Sequence, residues 1–483
     1  PKPYDISNFT FSYSYSEFSS YDINTSFNNN KTYNGGLSYN YQPKPLKVEP
    51  FASIGFIKRS KWLGLLKDFN FNIGPRQFSF RTDMNRTYNE YQSRNNNQEV
   101  FNFTPPPQFT KTFNWQRVYD VKYDLTKSLK VNFTANNNAV IGEPVGRVDK
   151  EYVDEYEQFK DSVWTSVMRF GETIDYNHNV NVTYKLPPDK LPLTDWITVN
   201  TGYNGSYNWL RAPFSQDTLG HTIQNSRNMN VNGQINMTNL YNKVPFLKDA
   251  NRTRKKSRKS ARTVKGKKED ESSSKEEGKN KRDTRDGGGF NIAKETAKFL
   301  MMLKNISVTY NQTEGTLLPG YGQTTNVLGF DNQFQGPGLG FVFGHQDEEY
   351  PFEAARRGYL VENPYINNPY TNTYSTSLNI RANIEPIKSF RIELTATSTK
   401  SRNSAGFFRY NEEIADYVND NPLETGSYSA SIITWGTAFA KDDDKTNASE
   451  VFQNFLDNRA IISGRLAEGN PFSNPSGEEF FSG

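Results

Sequence analysis

The side chains best suited to acid–base or metal chemistry are few, because this chain of 483 residues has three histidines and no cysteine. His178 lies on the apolar side of an alternating segment, so we expect it to face lipid or a lipid–water interface. His221 has no second ligand at metal-binding spacing. His345 stands beside the acidic run 347–349, and acidic runs on loops are usually solvated. We therefore predict no metal site, no cofactor and no catalytic residue.

Glycine-rich and acidic runs offer two further kinds of site. Glycines at 336, 338, 340 and 344 superficially resemble a phosphate-binding loop. A phosphate-binding loop requires a Lys-Ser/Thr pair directly after the glycines, and it lies between a strand and a helix. No such pair follows these glycines, and the sequence around them does not predict a strand–helix unit. The Asp run at 442–444 lacks the ligand spacing of a calcium loop, and neither G-x-S-x-G nor H-E-x-x-H occurs. Nothing here supports an enzyme.

Positive charge is concentrated in one low-complexity segment, residues 251–286. It holds 15 Lys and Arg against 7 Asp and Glu, so the net charge of +4 becomes about −4 for the rest of the chain. A nucleic-acid arm or a localisation signal is one interpretation, but no aromatic residue of the segment offers a base a stacking surface. Attraction to anionic lipid head groups is a second interpretation. We favour a solvated, disordered loop because its flanks are strand-like, and we expect no nucleic-acid partner.

Composition narrows the class of protein. The mean hydropathy is −0.81, and no apolar run approaches the roughly 18 residues of a membrane-spanning helix. Aromatic residues make up 14% of the chain, which argues against general disorder. A transmembrane β-barrel remains open, because its strands alternate apolar with polar residues. The chain begins Pro-Lys-Pro without an apolar signal core, so we expect an internal or processed segment.

The elements that must position all these residues are strands with a period of two. We count about twelve alternating segments, including 9–16, 113–125, 174–186, 197–209, 374–384 and 433–439. Many reach ten residues, whereas strands of soluble proteins usually have about five or six. We predict an all-β, antiparallel transmembrane barrel segment, with an aromatic girdle at Tyr39, Tyr41, Tyr207, Trp209 and Tyr310. A soluble solenoid or sandwich is the alternative, but a sandwich needs turn signals about every 8–12 residues.

The connections between strands predict a topology. An apolar-basic step precedes strands at 65–74, 128–136, 192–203, 302–311 and 386–397, and long polar loops follow at 85–108, 138–172, 211–222, 315–372 and 401–426. Outer-membrane barrels have short periplasmic turns and long extracellular loops, so we place the steps in the periplasm. The predicted domains are barrel strands over 1–250, a disordered periplasmic insert over 251–292, a short amphipathic helix over 293–304, and barrel strands with a Gly-rich external loop over 305–483.

Several phrases together carry a family resemblance. They are LLPGYGQ at 317–323, GPGLGFVFGHQ at 336–346, and the stretches 4–17, 35–51, 368–403, 426–439 and 452–471. With these phrases the chain resembles the C-terminal half of the SprA/Sov family, the giant outer-membrane translocon of the type IX secretion system of Bacteroidetes. The resemblance covers nearly the whole chain apart from the basic insert and some loops.

This resemblance implies a single-chain barrel of very many strands, of which this chain supplies about twelve. Such a barrel exports folded cargo proteins with C-terminal signals across the outer membrane of a Gram-negative bacterium and is linked to gliding motility. Its implied partners are the cargo, membrane lipid, a lateral partner barrel and a periplasmic plug.

The family has no catalytic residue to transfer. The four near-evenly spaced glycines of the Gly-rich phrase, in a long external loop, lead us to the hypothesis that backbone flexibility there serves a cap or a gate. The motif residues are Leu318, Pro319, Gly320, Tyr321, Gly336, Pro337, Gly338, Gly340, Phe341, Gly344, Gln346, Asn458 and Arg459.

Two other functions stay open at this point. A TonB-dependent receptor or a porin-like barrel predicts a complete chain with about 22 or fewer strands and, for a receptor, an N-terminal plug. A surface adhesin without a pore belongs to a different class of protein.

Overall fold

The main feature of the computed structural model is one antiparallel sheet of 12 strands, which confirms the all-β class and the predicted strand number. The structure describes residues 2–51, 54–59, 63–96, 103–147, 150, 153–187, 194–245, 247, 299, 301–331, 333–387, 389–432 and 449–469. The strands are β1 (Phe9–Ser20), β2 (Thr25–Tyr41), β5 (Gln77–Ser93), β6 (Gln108–Asp124), β7 (Leu129–Val140), β8 (Glu172–Leu186), β9 (Ile197–Leu210), β10 (His221–Asn236), β11 (Leu303–Tyr321), β12 (Tyr370–Ile387), β13 (Phe390–Asn411) and β14 (Asp416–Ala430).

These strands pair in chain order, as β1-β2-β5-β6-β7-β8-β9-β10-β11-β12-β13-β14. A second sheet has only β3 (Leu46–Val48) and β4 (Phe71–Ile73), which lie between β2 and β5 in the sequence. Within the described residues, β1 and β14 are the two edges of the large sheet and do not pair with each other. The sheet is therefore open.

Most of the helices lie in the connections and are short, whereas the last helix follows the last strand and has 20 residues. They are α1 (Gly55–Arg59), α2 (Gly64–Lys67), α3 (Val153–Met168), α4 (Met237–Tyr241), α5 (Leu339–Val342), α6 (Tyr350–Arg356) and α7 (Glu450–Gly469). None of the helices in the described ranges is long and apolar enough to cross a membrane. The chain divides into a unit over residues 1–429 and a second unit over residues 430–483, which contains α7.

Because the strands pair in chain order, their connections alternate between two ends of the sheet. We call one end the loop end; it carries the connections 21–24, 94–107, 141–171, 211–220, 322–369 and 412–415. We call the other the insert end; it carries 42–76, 125–128, 187–196, 237–302 and 388–389. In the sequence, the basic segment 251–286 falls between β10 and β11.

The strand register is staggered in one direction. The chain of Cα partners that starts at Phe9 leads through nine pairings to Asn372. Phe9 is the first residue of β1 at the insert end, whereas Asn372 is the 16th residue of β12 counted from that end. The register therefore shifts away from the insert end by about 1.7 residues per strand. With the usual rise per residue and distance between strands, this shift corresponds to a strand tilt of roughly 50°.

The structure corrects several predicted boundaries. The predicted loop 401–426 is wrong, because β13 and β14 form a hairpin closed by residues 412–415. The predicted loop 85–108 begins too early, since β5 continues to Ser93. The predicted helix 293–304 overlaps β11, which starts at Leu303. Residues 293–298 and 300 of that helix, the insert 251–292 and the strand 433–439 lie outside the described residues.

Candidate functional site: a two-faced sheet and its docked loop

One face of the large sheet is lined by polar side chains, many of them Asn, Ser and Thr, that bond across strands. It also carries ion pairs, such as Arg81 with Asp83 at 2.6 Å. Asn179 donates to Asn204 Oδ1 at 2.7 Å, and Asn228 donates to Thr313 Oγ1 at 2.8 Å. Ser206 and Ser226 share a hydrogen bond of 2.6 Å. Similar pairs recur on other strands, where Gln116 donates to Asn136, Asn138 to Asp175, Asn34 to Ser14, and Asn85 to Asn34. These pairs satisfy the side chains within the face and leave it hydrophilic.

The opposite face is apolar and has two zones. The part towards the insert end, which we call the open band, is not covered by any connection in the described ranges. Its side chains are half-buried or exposed, and they include Val121, Val131, Val180, Val182, Val199, Val231, Ile235, Ile306, Val308, Ile380, Ile384 and Leu394. The part towards the loop end, which we call the covered zone, is the core of the molecule. Trp209, Ile223 and Leu318 are fully buried there.

The covered zone is packed against the connection 322–369, which we call the docked loop. Phe341 and Val342 of α5 join the core cluster with Tyr207 and Trp209 of β9. The Trp209 indole Nε1 donates to Gln323 O at 3.0 Å, so the indole of the strand holds the start of the loop.

Backbone carbonyl groups of the docked loop accept hydrogen bonds from the strands beneath. Asn225 Nδ2 donates to Phe341 O and to His345 O, each at 3.0 Å, and the Tyr203 hydroxyl donates to Phe343 O. Gln346 extends this network, because its amide donates to Asn225 Oδ1 at 3.1 Å and accepts from Thr316 at 2.7 Å. Buried amide groups thus fix the loop in one position.

Three glycines permit this close packing. A Cβ atom on Gly205 of β9 would lie 2.3 Å from Phe343 O, and one on Gly344 would lie 2.6 Å from Ser226 O. Gly344 also has φ near +92°, a backbone conformation that other residues seldom adopt. A Cβ atom on Gly336 would lie 2.7 Å from Gly329 O. Two of the four glycines singled out from the sequence, Gly336 and Gly344, therefore act through steric fit.

The other two glycines are less constrained. Gly338 has φ near +90° but no atom within 4 Å of an added Cβ, and Gly340 meets only the His345 side chain at 3.6 Å. That the Gly-rich phrase acts as a flexible external gate stays a prediction. Phe341 and Val342 of the phrase are buried in the core cluster, whereas Leu339 is 58% exposed.

The structure corrects the expectation for His178. Its side chain is 2% exposed and lies under the docked loop, where Nε2 is 2.7 Å from Val342 O. The Nδ1 atom is 3.2 Å from the Tyr176 hydroxyl, which in turn accepts from Leu328 N at 2.9 Å. Since Val342 O can only accept, the Nε2 atom carries the proton of this bond. His178 holds the loop and does not face lipid.

His221 and Tyr350 lie at the loop end and are also structural. His221 Nδ1 accepts from Ala212 N at 3.1 Å, and burial lowers the pKa of this imidazole. Tyr350 of α6 stacks on Phe341 at 4.2 Å between ring centroids and donates to Pro337 O at 3.1 Å. Burial raises the pKa of the Tyr350 phenol. Both groups remain uncharged at neutral pH.

A second connection, 141–171, covers the neighbouring strands β5 and β6. Arg86 of β5 makes a bidentate ion pair with Glu143, with distances of 2.5 and 2.8 Å, and the Glu143 side chain is 3% exposed. The Arg117 guanidinium of β6 lies beside the stacked Trp115 and Phe170 rings, 4.9 and 5.6 Å from their centroids. The expected aromatic girdle is also wrong for Tyr207 and Trp209, which are covered by the docked loop.

The remaining motif residues fall at two places. Leu318, Pro319, Gly320 and Tyr321 form the buried loop end of β11, where Gly320 has φ near +79° and a Cβ would lie 2.6 Å from Ile366. Pro337 is buried beside Tyr350. Asn458 and Arg459 are exposed residues of α7 in the second unit. Within the first unit, the structure places the motif residues from Leu318 to Gln346 at the loop end of β11 and in the docked loop.

The sequence reasoning missed the polar residues that hold the loops, above all Asn225, Arg86 and Glu143. Asn225 interrupts the apolar side of β10 between Ile223 and Val231. This interruption is the only local feature of the sequence that could have indicated a residue that holds a loop. Within the described ranges, no group of three His, Cys, Asp or Glu side chains is arranged to hold a metal ion. No protein-family model matches the chain, and no curated protein matches it significantly.

Proposed function

We propose that this chain is part of the wall of a very large outer-membrane β-barrel that exports folded proteins to the cell surface, as in the type IX secretion translocon. The observation that carries the proposal is the chemistry of the two faces. The open band would contact the hydrocarbon of the membrane, and the Asn/Ser/Thr face would line a hydrated channel. Such a channel offers few apolar contacts to passing cargo, so transport depends on width and gating.

The stagger of the sheet supports the same proposal. A closed barrel requires tilted strands and a register that shifts in one direction, with tilts of roughly 35–45°. The tilt of roughly 50° inferred from the register is close to this range. Edge strands that remain unpaired would favour uncontrolled association. The edges β1 and β14 would therefore pair with further strands of a larger barrel, and the membrane-spanning segments would be the strands over the open band.

Cysteine labelling tests the two faces, because the chain has no cysteine of its own. Val231→Cys places a thiol on the open band, and Asn232→Cys places one on the polar face one residue further along β10. In the membrane-embedded protein, we expect a membrane-impermeant maleimide to label Cys at 232 and not at 231. Equal labelling of both positions would contradict a lipid-facing band and would favour a soluble β-protein. Electron microscopy would then distinguish a wide translocon from a porin-like barrel.

A further inference from the structure

The two ends of the sheet carry opposite charge. The six loop-end connections have a formal charge of −10 in total, and the five insert-end connections have +16. The basic insert supplies only half of the positive charge. A second source is residues 42–76, which we call the basic unit; it contains seven Lys and Arg against two Asp and Glu.

The basic unit is attached to the sheet on its apolar side. Tyr123 of β6 lies on the same face as Val121 of the open band and donates to Asn72 O at 2.9 Å. Asn72 Nδ2 donates to Asp124 O at 2.6 Å, and Lys127 N donates to Asn70 Oδ1 at 3.1 Å. The unit therefore lies at the insert end, against the edge of the open band.

The small hairpin of the unit has two different sides. Lys47 lies opposite Asn72 on the side that meets the turn 125–128, where Lys127 is 3.9 Å from Glu49. Leu46 lies opposite Ile73 on the other side, and these two side chains are 70% and 54% exposed. Phe69 and Phe56 of the same unit are also exposed, at 45% and 77%.

The basic unit also has exposed Lys and Arg side chains. Lys44, Arg59 and Lys67 are exposed, and none of them has an ion pair with a described acidic residue. Exposed apolar side chains flanked by Lys and Arg are typical of segments that lie in the interface of an anionic membrane. An acidic soluble partner would match the positive charge, but it would leave the position beside the open band unexplained.

We propose that the basic unit anchors the insert end of the sheet to anionic phospholipid head groups. Leu46, Ile73 and Phe56 would enter the interface, and Lys44, Arg59 and Lys67 would bind lipid phosphates. This inference rests on the proposed function, because it requires the open band to lie in the same bilayer.

A single fluorescent label tests the anchor. Phe56→Cys gives a unique thiol for an environment-sensitive label, and Ser215→Cys in the exposed loop-end turn is the matched control. The labelled chain is reconstituted in vesicles of phosphatidylcholine with or without phosphatidylglycerol, which also contain a nitroxide-bearing lipid quencher. We expect strong quenching at 56, several-fold stronger with phosphatidylglycerol, and none at 215. Charge reversal by Lys44→Glu, Arg59→Glu and Lys67→Glu should remove the phosphatidylglycerol effect.

A third label on Val231→Cys keeps the two proposals apart. If the label at 231 is quenched but that at 56 is quenched only by aqueous iodide, the anchor is wrong and the barrel wall stands. Quenching at 56 that is equal in both lipids and unchanged by charge reversal also overturns the anchor. If the label at 231 is not quenched by the lipid nitroxide, the proposed function fails and the anchor fails with it.

Discussion

Single residues decide whether the docked loop can reach the sheet. Gly205 and Gly344 bring the backbone of the loop within contact of β9 and β10, and His178 and Asn225 then bond its carbonyl groups. A side chain at either glycine would push the backbone of the docked loop away from the sheet. The hydrogen bonds of His178 and Asn225 to the loop would then be too long, so these bonds depend on the two glycines.

We expect Gly344→Ala to weaken loop docking. Its φ near +92° and the 2.6 Å approach to Ser226 O both oppose a Cβ atom, so a loss of about 2 kcal/mol is expected. Gly340→Ala is the matched control within the same phrase, and it should change stability by less than about 0.5 kcal/mol. For both variants, limited proteolysis measures how well the segment 322–369 is docked, and thermal unfolding measures the change in stability. Equal protease resistance of the Gly344→Ala variant and the native chain would show that the loop tolerates the Cβ.

At the scale of elements, long connections cover the loop end of the apolar face, and this explains the misplaced boundaries. Where a connection covers a strand, the apolar side can hold charged residues that pair with the connection, as Arg86 does with Glu143. Alternation of apolar and polar residues then disappears although the strand continues. The sequence between Asn85 and Ser93 therefore looked like a loop and is the end of β5.

The connection 141–171 should depend on this ion pair. Glu143→Gln leaves Arg86 largely buried without its counter-charge, and removal of one partner from a buried pair typically costs roughly 3–5 kcal/mol. The double variant Arg86→Met with Glu143→Gln should lose less stability than the two single variants together. Denaturant unfolding of all three variants measures this coupling.

Lys160→Ala in α3 is the control for the variants of Arg86 and Glu143. Lys160 is 3.0 Å from Glu157 in an exposed pair, so its loss should change stability by less than about 0.5 kcal/mol. If Glu143→Gln has as small an effect on stability as Lys160→Ala, the ion pair of Arg86 with Glu143 is not what holds the connection 141–171 on the sheet.

At the scale of the whole molecule, the large sheet has two open edges. The edge β1 pairs only with β2 in the described ranges, and its residues Phe9, Phe11 and Tyr13 are exposed. Long apolar edges promote pairing with other chains. In the proposed barrel, the open edges would pair with neighbouring strands that lie outside these 12.

The isolated chain in detergent should therefore self-associate through its edges. Phe11→Lys with Tyr13→Lys places charges on β1 and should shift the chain towards a monomer, as charged edge residues do in natural sheets. Phe334→Lys in the docked loop, a residue that is 86% exposed, is the control and should not change association. Light scattering at several protein concentrations measures the mass. A native chain that is monomeric at all concentrations would contradict the prediction.

Sequence by itself determined most of the strands and the chemistry of their two faces, although most of β14 falls in a stretch that it predicted as a loop. Alternation is a local property, because successive side chains point to opposite faces of a strand whatever the rest of the chain does. Residues such as 174–186 and 197–209 were therefore assigned correctly to β8 and β9 without tertiary information.

Only the tertiary structure decided which part of the apolar face is covered and how the strands are staggered. His178 and Val342 are 164 residues apart in the chain, and their contact depends on a loop conformation that no local pattern encodes. The apolar side of β8 looks uniform in sequence, yet Tyr176 and His178 are buried under protein while Val180 and Val182 remain in the open band. The alternating pattern fixes the direction of each side chain, and long-range packing fixes what that side chain meets.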